Sequence, residues 1–67
     1  MNAKEFYSAK GKKAAELVAK RAGTTERYLY QISLGHRRPS LDLAKRLVEA
    51  SNGEIDLVSL LTYERAA

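Results

Sequence analysis

Apolar residues recur at helical spacing along most of the chain, and Gly, Asn and Pro interrupt them at intervals, so the pattern predicts five short helices. The first runs from about Asn2, placed as an N-cap, through Phe6 and Tyr7 toward Lys10, where Gly11 interrupts it. The second covers about Lys12 to Ala22. Its apolar stripe is Ala14, Ala15, Leu17, Val18 and Ala22, Lys20 and Arg21 suit the negative end of the helix dipole, and Gly23 fits a left-handed cap. The third opens at Thr24-Thr25, where a hydroxyl can cap exposed N–H groups, and continues to about Ser33. Leu29 and Ile32 share one side of it, while at about 100° per residue Arg27, Tyr30, Gln31 and Leu34 fall on the other. The loop Gly35-His36-Arg37-Arg38-Pro39 leads to Ser40, a cap for a fourth helix from Leu41 to about Ser51 with Leu43, Ala44, Leu47 and Val48 on its buried side. Asn52-Gly53 stops it, and a fifth segment runs from Asp56, as a cap, to about Glu64 with Leu57, Leu60 and Leu61 at helical spacing. A strand over Glu54 to Tyr63 stays open, since short apolar runs are ambiguous by period alone. Val18, Leu29, Ile32, Leu43, Leu47 and Val48 are the expected core.

Composition narrows the class. With 67 residues, 45% of them hydrophobic and 30% charged, the chain reads as one small soluble domain over residues 1–67 with an all-α fold, a compact bundle of about five short helices. Cys is absent, which excludes a disulfide framework, thiol chemistry and Cys-ligated metal. The lone His36 has no second His or Cys to join it, so no metal and no cofactor is expected. A chain this short, with no close acid/base pair at motif spacing, is not expected to be an enzyme. No apolar run approaches the roughly 20 residues that span a bilayer, and the first residues lack signal-peptide order, so a cytoplasmic protein with no membrane partner is expected.

Charge adds a direction. The formal net charge is +4, but residues 1–38 hold nine Lys/Arg against three acids, while residues 39–67 hold three against five. That split points to one basic face for a polyanion, with nucleic acid first and an anionic membrane surface second. A membrane-binding helix would need bulky apolar residues opposite its Lys/Arg, and the apolar face of the second segment is largely Ala.

The second and third segments satisfy a stricter pattern. Two helices crossing steeply need a small residue where they touch, a turn residue that tolerates positive φ, and apolar anchors under the second helix; Ala19, Gly23, Leu29 and Ile32 supply these at offsets 0, +4, +10 and +13. With those offsets, and with Gly35 through Ala44 following in order, the chain resembles the lambda-repressor-like helix-turn-helix family that includes the phage Cro proteins. The likeness covers roughly residues 12 to 61. It implies a second helix, about residues 25–33, presented to the major groove of double-stranded DNA. Two positions depart from the family pattern. Ala15 stands where the family often has a phosphate-supporting Gln, with Lys12 or Lys13 as substitutes, and Glu26 stands where the family often has an adenine-reading Gln. Glu26 can accept from cytosine N4, yet its charge repels phosphate, and its role stays open.

From residue chemistry and this resemblance together, Glu26, Arg27, Tyr30 and Gln31 are the candidate base contacts. Arg27 can bond guanine O6 and N7 in a bidentate manner, Gln31 an adenine edge, and Tyr30 a thymine methyl or a phosphate. Tyr28 points more sideways, toward DNA or the core edge, and Leu34 can meet a thymine methyl or tuck under the next loop. Lys12, Lys13, Thr24, Thr25, His36, Arg37 and Arg38 are the candidate phosphate contacts, the two Thr at a helix N-terminus and the last three in a loop that the resemblance runs beside the backbone. Leu57, Leu60, Leu61 and Tyr63 form either a dimer seam or a helix that closes the monomer core.

The expected function is therefore Cro-type transcriptional repression in the bacterial cytoplasm or nucleoid, by a homodimer on a palindromic operator. So short a chain would act by blocking the promoter and not through a sensing domain. The alternative is a protein-interaction module, antitoxin-like or anti-repressor, that keeps this fold and binds a protein partner. RNA fits less well than DNA, because no aromatic sheet platform is visible and the deep major groove of A-form RNA excludes a helix.

Overall fold

A computed structural model describes residues 1–61 and gives four helices: α1 (Ala3–Ala22), α2 (Glu26–Ser33), α3 (Leu41–Ala50) and α4 (Leu57–Leu61). No strand occurs among the described residues, so the strand alternative for the C-terminal segment is set aside where it can be seen. The helix count is four and not five because the first two expected segments join as α1. Their separation survives only as a break at Gly11, whose backbone (φ 87, ψ 173) is non-helical.

Local chemistry accounts for the ends. The Asn2 side chain accepts from the Glu5 N–H (2.7 Å) while the Glu5 carboxylate accepts from the Asn2 N–H (2.8 Å), a reciprocal capping box. Gly23 adopts φ 82 and closes α1, with its N–H donating to the Lys20 carbonyl and the Thr24 N–H to the Ala19 carbonyl. Thr25 and Ser40 cap α2 and α3 as their positions implied, accepting from the Tyr28 and Leu43 N–H groups. Asp56 precedes α4 and accepts from the Ser59 N–H at 3.0 Å. That bond, followed by the Met1 ammonium 3.2 Å away, holds its carboxyl below the usual Asp range.

One core joins the helices. α1 contributes Ala3, Phe6, Ala15, Val18, Ala19 and Ala22, α2 contributes Leu29 and Ile32, α3 contributes Ala44 and Leu47, and Ile55 and Leu60 complete it. Four of the six residues from α1 are Ala, so the backbones of α2 and α3, both packed against it, approach closely. Leu17 is a correction to the expected stripe: it is 58% exposed. The buried arc is Ala15, Val18, Ala19 and Ala22, and Leu17 lies about 100° from Val18, off that arc. Leu43 and Val48 are packed against the core but only partly buried, because α3 turns Ala44 and Leu47 inward. Leu60 is buried within the monomer, which removes it from a dimer seam.

Gly11 carries a prediction. A Cβ there would meet nothing within 4 Å, so the cost of Gly11→Ala is conformational alone. Its φ and ψ lie in a region essentially reserved for Gly, and the substitution should destabilise the domain by about 1–3 kcal/mol. A denaturant titration should show a lower midpoint at unchanged slope; an unchanged midpoint would mean that the break is not required for folding.

Candidate nucleic-acid interface

α2 is two-sided. Leu29 is fully buried and Ile32 nearly so, while Arg27 is exposed, Tyr30 is 47% exposed and Leu34 is 46% exposed. These residues take the sides that the helical period assigned. Gln31 is half-buried, and Tyr28 packs against the core edge, the second of its two open readings.

The end of α2 is set by hydrogen bonds that shape the loop after it. The Gly35 N–H donates to the Ile32 carbonyl and the His36 N–H to the Gln31 carbonyl (2.9 Å), which turns the chain so that the His36, Arg37 and Arg38 side chains are exposed and Pro39 is buried. Arg37 then reaches back, its Nε donating to Gln31 Oε1 at 3.2 Å. Two candidates from separate groups, one for base and one for phosphate, are thereby brought together. An amide oxygen has two acceptor sites, so Gln31 keeps one alongside its two N–H donors, with its orientation restrained by Arg37.

At the start of α2 the two Thr separate in role. Thr25 is the cap, its hydroxyl oxygen accepting from the Tyr28 N–H (3.1 Å) with its O–H left to donate, whereas the Thr24 N–H serves the closure of α1. Lys12 and Lys13 are exposed just beyond the Gly11 break. Ala15 is fully buried, so its position touches the core and not the surface.

Tyr7 is the residue that sequence reading missed. Its hydroxyl donates to Glu26 Oε2 (2.7 Å) and, less closely, to the Glu26 carbonyl (3.3 Å), and its ring meets Tyr30 edge-on with centroids 5.5 Å apart. Burial first, and then the hydrogen-bonded Glu26 carboxylate, push the phenol above its usual pKa, so it stays a neutral donor. The one hint in the sequence is an aromatic beside Phe6 in an otherwise polar segment.

The C-terminal candidates divide. Leu60 lies in the core, Leu57 is half-buried beside an open groove lined by Lys45, Val48 and Glu49, and Leu61 and Val58 are exposed. Tyr63 lies outside the described residues. Among the described residues no cluster of three His, Asp or Glu could hold a metal ion, and no helix is long and apolar enough to cross a membrane. No protein-family model, curated protein or solved structure matches the chain.

Proposed function

We propose that this chain is a sequence-specific double-stranded DNA-binding protein, a Cro-type transcriptional repressor that occupies a palindromic operator as a homodimer with α2 in the major groove. The observation that carries it is the two-sidedness of α2: a helix pinned by Leu29 and Ile32 that turns Arg27, Tyr30 and an Arg37-restrained Gln31 away from the core. The C-terminal half of α1, the Gly23 turn and α2 make up the helix-turn-helix of this reading.

Arg27 pairs with guanine O6 and N7, and Gln31 presents its remaining acceptor site to adenine N6 and an N–H to N7. Tyr30 contributes its hydroxyl or ring edge. Lys12, Lys13, Thr24, Thr25, His36, Arg37 and Arg38 follow the phosphates and set register without reading sequence. Self-association uses the exposed Val58 and Leu61 of α4, leaving Leu60 to the monomer core. A palindromic operator requires the two recognition helices of that dimer to lie about 34 Å apart, one turn of B-DNA, and the bound dimer excludes polymerase from the same promoter.

Selection from a random duplex pool at roughly physiological salt tests this. Enrichment of an inverted repeat with half-sites about 10 base pairs apart supports it. Retention of all sequences without enrichment contradicts base reading and favours the protein-partner alternative. The phosphate contacts have their own signature: replacing both Lys12 and Lys13 by Ala should reduce the slope of log affinity against log salt by about 2 per protomer and weaken all sequences alike. An unchanged slope in a binding titration would remove these two Lys from the interface.

A further inference from the structure

Tyr7 and Glu26 meet across 19 positions of sequence at the start of α2. We propose that Tyr7 is a positioning residue that aims the Glu26 carboxylate into the groove, where it selects cytosine at one position of each half-site. This rests on the DNA-binding reading above.

The pair is held from several directions. Phe6, beside Tyr7, is buried in the core, the break at Gly11 lets this half of α1 depart from the axis of the other, and the Tyr7 ring is braced edge-on by Tyr30. The phenol therefore has little freedom, and its 2.7 Å bond to Glu26 Oε2 is a short bond to an ionised acceptor, the stronger kind. Glu26 also sits in the first turn of α2, where the positive end of the helix dipole favours a carboxylate. Without a tether, a carboxylate at a DNA surface would swing away from the phosphates; with one oxygen held by Tyr7, the other has a fixed direction.

The base preference follows from what a carboxylate can do. It only accepts hydrogen bonds. In the major groove guanine offers the acceptors N7 and O6, thymine offers O4, and adenine sets its amino group beside the acceptor N7. Cytosine offers the N4 amino group alone, so it is the one base that gives a carboxylate a donor with no adjacent acceptor on the same edge.

Parallel selections with the wild-type chain, Glu26→Gln and Tyr7→Phe test the proposal, with circular dichroism melts to confirm folding. Wild type should prefer cytosine at one half-site position by about tenfold. Glu26→Gln, a change of nearly equal shape at a half-buried position, should move that position to adenine and leave the rest of the motif intact. Tyr7→Phe keeps the ring and its packing but not the hydroxyl, and should lower the cytosine preference to roughly twofold at that position only. If Glu26→Gln leaves every position unchanged, the proposal is overturned while DNA binding stands. If Tyr7→Phe weakens all sequences equally, Tyr7 only staples α1 to α2 and the positioning role is overturned. A wild-type chain that enriches no motif would overturn the DNA-binding reading itself, and this inference with it.

Discussion

Leu29→Ala should yield a chain that is largely unfolded near 37 °C. Leu29 has no exposed surface and lies at the middle of α2, within the one core that joins the helices. Truncating a fully buried Leu costs about 2–5 kcal/mol through lost burial and the cavity left behind, and a core in a domain this small rarely supplies more than about 3–5 kcal/mol. The two figures are comparable, so the mutation consumes most or all of the margin. Leu17→Ala provides the control, because Leu17 is 58% exposed and the same chemical change should cost less than about 0.5 kcal/mol. Thermal and urea unfolding of the two variants measure this directly. Equal destabilisation would mean that Leu17 is buried in solution and that the arc of α1 facing the core is misplaced.

Arg27→Ala should have the largest effect on binding with the smallest effect on folding. Arg27 is exposed on α2, so its removal should shift stability by no more than about 0.5 kcal/mol. A bidentate contact to guanine is worth about 1–3 kcal/mol, which is roughly 5- to 150-fold in affinity for each half-site, and a dimer bears the loss twice. Affinity for scrambled duplex should fall much less, since one phosphate-range cation among many is lost. Competition between the selected duplex and a scrambled one separates the two: a collapse of their ratio marks base reading, whereas a parallel loss marks a phosphate contact.

The burial of Leu29 and the exposure of Arg27 are legible in the sequence because they are local. The sidedness of α2, its Thr25 cap, the Gly23 turn and the Gly11 break depend on residues within a few positions of one another, where period and backbone preference decide. Leu17 has the apolar character of a core residue, but its angle around the helix takes it off the buried arc. Ile55 was overlooked for a different reason. It lies outside any helix, in the turn after α3, where it is fully buried and its N–H donates to the Ser51 hydroxyl (3.1 Å). Leu60 could not be divided between core and seam by spacing alone; burial in the monomer decided it.

The candidate site follows the same rule. Exposure of Arg27 and Tyr30 was legible from the helical period, but the bond from Arg37 to Gln31 depends on how the chain leaves α2. The contact of Tyr7 with Glu26 depends on the direction in which α1 breaks, which no local pattern encodes.

The most direct test of the outward face of α2 as a DNA-reading surface is an amide chemical-shift map of the labelled chain titrated with the selected duplex. The largest changes should fall on Arg27, Tyr30 and Gln31 and on residues 36–38, with Val48 and Leu57 little affected. Changes confined to the groove beside Val48 and Leu57, with α2 silent, would contradict the central claim and place the binding surface on α3 and α4.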